Sequence, residues 1–183
     1  GALASLSSDP VTDVVADGAL LYATTGGALQ PVDGAGVPVG DVHVASTGSL
    51  RVLDASEPAT LRELANVSLP GSGGALRVKK AGQTLYVAGS QGVSLIDVAQ
   101  PALASLKDMI FIAGGAADIA VVDELLLVAD ETGIESYRLG EVSEPLFVGR
   151  RALPAGATAL AVLGDDIVAS TGDGTLEVID ARS

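Results

Sequence analysis

The chain has 183 residues, enough for one compact domain or for an array of small repeats in its place, and 23 Asp+Glu against 10 Lys+Arg give a formal charge of −13. That charge argues against a phosphate-backbone partner, so no nucleic-acid binding is expected, and with no cysteine and one histidine there is little basis for disulfide scaffolds, thiolate or histidine-cluster metal sites, cysteine nucleophiles or Ser-His-Asp triads. The composition is 48% hydrophobic, yet it holds only 3 Tyr and 2 Phe beside 23 Gly, so small aliphatic side chains must fill the interior.

In chain order, the opening GALASLSSDP has neither a positively charged start nor an apolar run of about 7–15 residues, so it is not read as a signal peptide. A first copy of a recurring pattern follows, LYATTGGALQPVD at 21–33, and GAGVPVG after it reads as the start of an outer strand. At Gly40-Asp41 the pattern jumps: about fifteen residues of the expected spacing are missing before the second copy, VHVASTGSLRVLD at 42–54. Three arrangements fit this junction: a gap that the numbering runs across, a lost hairpin, or a six-stranded blade in a four-bladed ring. His43 alternates with Val42 and Val44 in the second copy, and a lone histidine there reads as a surface or inter-blade polar group.

The third copy, LYVAGSQGVSLID at 85–97, sets the period. Gly-Ala occurs at 74, 115 and 156, and a glycine at 92, 133 and 174, every step being 41 residues. Val93 and Leu95 flank Ser94 with the two-residue alternation of a strand, and the copy reads as four strands near 75–80, 84–88, 93–97 and 103–111. ATLREL at 59–64 and the segment 102–105 are too short for stable helices. The longest apolar stretch, Met109 to Val122, is broken by Gly114, Gly115 and Asp118 and falls short of the ~20 residues of a spanning helix, so no transmembrane segment is expected. The fourth and fifth copies are LLVADETGIESYRL at 126–139 and IVASTGDGTLEVID at 167–180.

Four short antiparallel strands per ~40–45 residues are the signature of a β-propeller blade, so the expected fold is all-β: one propeller domain over 1–183 with about five repeats (11–40, 41–73, 74–114, 115–155, and 156–183 plus 1–7). Residues 2–6, ALASL, repeat 102–106, so the N-terminal strand is expected to complete the last blade and close the ring. After the third strand, Asp54 precedes Pro58, Asp97 precedes Pro101 and Glu141 precedes Pro145, each by four residues, so that an acidic side chain accepts backbone N–H groups of the turn and proline fixes φ. With LYVA, GVSLIDVAQP and EVSEPLFVG, the chain resembles the LVIVD-repeat family of β-propellers. That resemblance implies the propeller fold and a bacterial extracytoplasmic or cell-surface setting, and it specifies no activity. Glu141 in place of Asp and Gln-Pro-Val in the first copy depart from the family pattern.

No catalytic, cofactor-binding or metal site is expected. Asp165-Asp166 and Asp123-Glu124 sit in turns and lack the spaced Asp-x-Asp-x-Asp-Gly of a calcium loop, and Asp173-Gly174 reads as a hairpin turn. Gly71-Ser-Gly-Gly74 lacks the Lys-Ser/Thr of a phosphate loop, and Lys79-Lys80 and Arg150-Arg151 read as strand-edge charges that discourage edge association. The favoured reading is a non-enzymatic interaction scaffold of a secreted or cell-surface bacterial protein that binds a protein partner through a loop face. The alternatives are a calcium-dependent propeller hydrolase or lactonase, with Asp13, Asp17 and Asp118 as channel ligands, and a structural subunit of a surface assembly. Partner identity and oligomeric state are not written in these features.

Overall fold

Period-two alternation organises the chain throughout the residues that the computed structural model describes, namely 10–26, 28–29, 35, 43–44, 48–57, 59–71, 77–140 and 145–180. The first sheet holds β1 (Val11–Asp17), β2 (Leu20–Thr25), β5 (Ser49–Asp54) and β6 (Arg62–Ser68), all antiparallel and adjacent in that order. Between β2 and β5 stands a separate two-stranded pair, β3 (Ala28–Leu29) with β4 (His43–Val44). The second sheet runs β7 (Arg77–Ala81), β8 (Thr84–Gly89), β9 (Gly92–Asp97) and β10 (Ser105–Phe111), and the third β11 (Asp118–Val122), β12 (Leu125–Asp130), β13 (Gly133–Arg138) and β14 (Leu146–Ala152). The fourth comprises β15 (Ala157–Leu163), β16 (Asp166–Thr171) and β17 (Leu176–Asp180).

The strands expected for the third copy agree with β7 to β10 to within two residues at every boundary. The segment at 102–105 becomes a single 3-10 turn, Pro101–Leu103, and ATLREL runs into strand β6. Asp54 and Asp97 brace their turns as expected, accepting the backbone N–H of Ser56 (3.0 Å) and Ala99 (2.8 Å). Glu141 lies outside the described residues, as do the N-terminal segment 1–7 and the closure it was expected to make.

The five sequence copies occupy four sheets, which corrects the reading of repeats 11–40 and 41–73 as separate blades. β2 of the first copy pairs directly with β5 of the second, from Leu20↔Asp54 to Thr25↔Ser49. The Gly40-Asp41 junction itself lies outside the described residues, and the six-stranded blade is not what is found: the first sheet has four strands, with β3 and β4 paired to each other apart from it.

Three apolar cores lie between successive sheets. Tyr22, Leu50 and Val52 of the first sheet pack on Val78, Leu85, Val87 and Ile96 of the second. Tyr86, Ala88, Val93 and Leu95 meet Ile119, Leu126 and Val128 of the third, and Ala120, Leu127, Ala129 and Ile134 meet Ala157, Ile167 and Ala169 of the fourth. The second and third sheets each therefore present one face to the sheet before and the other to the sheet after, with small aliphatic residues interdigitating as sheet-on-sheet packing requires. The first strands pack side by side in the order β1, β7, β11, β15.

Candidate functional site

The carboxylates proposed as channel ligands are engaged within the fold. Asp13, on β1, accepts the N–H of Val14 through Oδ1 (2.9 Å) and that of Val78, in the next sheet, through Oδ2 (2.9 Å). Asp118, on β11, repeats this geometry with Ile119 (2.8 Å) and Leu160 (2.8 Å). Each carboxylate is thus a clip that ties neighbouring first strands through charge-assisted hydrogen bonds. The equivalent positions on β7 and β15 are Arg77 and Ala159, so clipped and unclipped junctions alternate along the array. Asp17 pairs with Lys80 Nζ at 2.9 Å across the first junction. Among the described residues no three His, Cys, Asp or Glu side chains gather to hold a metal ion. The structure therefore does not bring Asp13, Asp17 and Asp118 together as a calcium site.

The basic pairs are also built differently from expectation. Lys80 sits on β7, a first strand inside the array, and Arg150 Nη2 reaches the buried Asp130 at 3.0 and 3.2 Å. Arg151 stands 3.8 Å from Glu177 of the next sheet. These side chains tie strands and sheets together, in place of a purely repulsive edge role. Asp130 was not singled out in the sequence: its Oδ1 accepts the N–H groups of Thr132 (2.6 Å) and Gly133 (3.0 Å), closing the β12–β13 turn. Its one sequence signal is the Asp-x-Thr-Gly at a hairpin, and the equivalent residues Gly89 and Thr171 do not share it.

Asp123-Glu124 occupies the turn assigned to it, whereas of Asp165-Asp166 only Asp165 lies in the turn and Asp166 opens β16. Asp123 and Glu124 are exposed between β11 and β12, with Asp123 in the left-handed region (φ 50°), and Asp165 lies between β15 and β16. Asp173 accepts from Thr171 Oγ1 (2.6 Å) and Thr175 N (3.2 Å), and these bonds, the Thr171 hydroxyl foremost, hold its carboxyl below the usual range. The glycine series at 41-residue steps breaks at its last member: Gly92 and Gly133 open β9 and β13, whereas Gly174 lies in a turn one residue longer and Thr175 precedes β17. Gly71 follows β6 in an inter-sheet connection, and Ser72 to Gly74 lie outside the described residues. His43 is on β4, opposite Leu29.

Residues 26–48, including β3 and β4, join β2 to β5, where two-residue turns join the middle strands of the second and third sheets. The outward face of the fourth sheet is exposed. Val52 is 0% and Leu95 2% exposed at equivalent positions of the first and second sheets, whereas Val178 is 64% exposed. Leu163 and Leu176 share that face and are exposed too. Beside β17, a groove of about 460 Å³ separates the third and fourth sheets, floored by Leu127, Ile134, Ile167 and Ile179.

No family model matches the chain, and no curated protein does. Solved structures do. The chain is similar to the computationally designed Ika4 protein at a TM-score of 0.67 and 11% identity, over 94% of this chain and 91% of that one. It is similar to the designed Ika8 protein (TM-score 0.56, 14% identity, 95% of this chain and 59% of that one) and to BamB from Moraxella catarrhalis (TM-score 0.59, 12% identity, 91% and 42%). The chain thus spans less than two thirds of the latter two. At these identities the likeness shows the fold alone, and the fold is that of a β-propeller whose sheets are its blades.

Proposed function

We propose that the chain is a non-enzymatic β-propeller interaction module of a secreted or cell-surface bacterial protein, of LVIVD-repeat type, that binds a protein partner through one loop face. The observation that carries this reading is the β3–β4 insertion. Blades one to three share strand order, and the largest departure from that regularity is the 23-residue connection between Thr25 and Ser49 in the first blade. Recognition in repeat folds is carried by such loops held on a rigid scaffold. Use of the Asp13 and Asp118 carboxylates as inter-blade clips supports the non-enzymatic side of the reading, since their lone pairs are directed at backbone N–H groups. No helix among the described residues is long and apolar enough to cross a membrane.

The test replaces residues 26–48 by the Ser-Gln turn that joins β8 to β9. The shortened chain is expected to keep its far-UV spectrum and melting temperature while losing a partner that the full chain captures from source-organism surface extract and that photo-cross-links from within 26–48. Partner capture equal in both chains, or turnover of lactone, ester or glycoside substrates by the full chain, would overturn the reading.

A further inference from the structure

Where blades two, three and four meet, a cavity of about 360 Å³ opens beside the start of β11, a size within the range of small-molecule sites. Its walls are almost bare backbone: Gly89 and Ser90 of the β8–β9 turn, the connection Gly114–Ala117 that leads into β11, and the first residues of β15. Glu131, from the β12–β13 turn, is the one charged side chain among the described lining residues. It reaches the cavity because Gly114 has no side chain: a Cβ there would stand 2.7–3.1 Å from the Glu131 carboxyl atoms. Glu131 is exposed and makes no hydrogen bond or ion pair among the described residues. The equivalent turn residues are Ser90 in blade two and Gly172 in blade four, so this carboxylate belongs to one junction.

The other polar groups of the cavity are already committed. The N–H groups of Gly115, Ala116 and Ala117 are given to the carbonyls of Ile112 (2.9 Å), Gly89 (2.9 Å) and Ala129 (2.8 Å), and the Thr158 hydroxyl is held by Ser170. An anion would therefore meet a carboxylate and spent amides, whereas a cation finds an acceptor whose lone pairs are unused. The formal charge of −13 draws cations to the molecule as well. We infer that the cavity receives the side chain of a lysine or arginine from a protein partner, its alkyl stem against the alanine and glycine walls and its charged head on Glu131. Thr25 and Ser49, where the 26–48 connection leaves the first sheet, are the equivalents of Gly89 and Gly92, so the cavity opens at the same end of the sheets as that connection. The partner proposed above would thus carry a basic residue in the segment that meets this end, an assignment that rests on the partner-binding reading.

Amide chemical shifts of the isotope-labelled chain, followed as N-acetyl-arginine amide or N-acetyl-lysine amide is added at low salt, read the cavity without any partner. Failure here is therefore distinct from failure of partner capture. Saturable shifts in the millimolar range are expected at Gly114, Gly115, Ala117 and Glu131. E131Q should weaken binding about threefold to fivefold, the loss of one exposed ion pair, and N-acetyl-citrulline amide, the neutral isostere of the arginine probe, should bind the native chain equally more weakly. A117L, at an exposed lining position, should fill the cavity and abolish the shifts. E124Q removes an exposed carboxylate from the turn between β11 and β12, at the other end of the blade, and should leave binding unchanged. No saturable shift, equal binding of the citrulline and arginine probes, undiminished binding in A117L, or equal losses in E131Q and E124Q would each overturn the assignment.

Discussion

Asp118 Oδ2 accepts the backbone N–H of Leu160 at 2.8 Å across the junction of blades three and four, while its Oδ1 holds Ile119 N–H on its own strand. Ile119 is buried and Leu160 partly buried, so truncation leaves one N–H with neither partner nor water and a second with restricted access to it. D118A should cost about 2–4 kcal/mol in urea unfolding. D118N keeps one acceptor oxygen and should cost less. D13A should be milder, since the Val14 N–H that it also serves is exposed to solvent. Because these carboxylates act as clips, millimolar calcium should leave the melting temperature of the native chain unchanged.

The clips also show where reading the sequence stopped short. Asp97 and its turn were legible because the residues that respond, Ala99 and Pro101, are two and four positions away. Asp13 and Asp118 answer to residues 65 and 42 positions away, and nothing local distinguishes a carboxylate aimed at a neighbouring blade from one aimed at a channel ion. The strands of the third copy could be read because alternation and turn glycines lie within one 41-residue unit. The pairing of Thr25 with Ser49 could not, because each strand looks like part of a different repeat. Asp130 was missed for the opposite reason: it appears in one blade, and a search for what recurs passes over it.

Asp54 supplies a pH-dependent contribution. The Ser56 backbone N–H, then the Ser56 side chain and Arg62, lower its pKa from 3.8 to about 2. A carboxyl whose folded pKa is depressed stabilises the fold above its unfolded value and loses that contribution as pH falls through the folded one. The stability difference between the native chain and D54N should therefore be fully present above about pH 4 and vanish toward pH 2. Urea midpoints measured from pH 5 to pH 2 check this, and an unchanging difference would show that the Asp54 turn contributes no protonation-linked stability.

All three tyrosines are held above their ordinary range. Burial is the leading cause for Tyr22, Tyr86 and Tyr137, and for Tyr137 the hydrogen bond to Glu135 adds to it. A raised pKa means that the folded state favours the protonated phenol, so this contribution is intact below the unfolded pKa of 10 and is lost as pH rises through the folded values. Tyrosinate absorbance near pH 10 should be weak in the native chain and should rise together with loss of the β-sheet spectrum. E135Q should shift the Tyr137 step toward lower pH. A full phenolate signal at pH 10 in the folded chain would contradict the burial of these rings.

Gly133 and Gly82 separate two reasons for a glycine in a blade turn. Gly82 has φ +55° and nothing within 4 Å of where a Cβ would stand, so G82A meets only the cost of left-handed backbone, about 1 kcal/mol. Gly133 has φ +143°, and its Cβ would stand against the Arg151 carbonyl and the Leu153 amide of the adjacent strand. No rotamer relieves that clash because both neighbours are backbone, so β13 and β14 would have to separate where their pairing begins, at Gly133↔Ala152. G133A should therefore cost at least about 3 kcal/mol, and G92A, with the Ile110 carbonyl in the same place, should behave alike. Equal losses for G82A and G133A in urea unfolding would mean that the outer strand is free to move away, and that the blade edge is softer than its register implies.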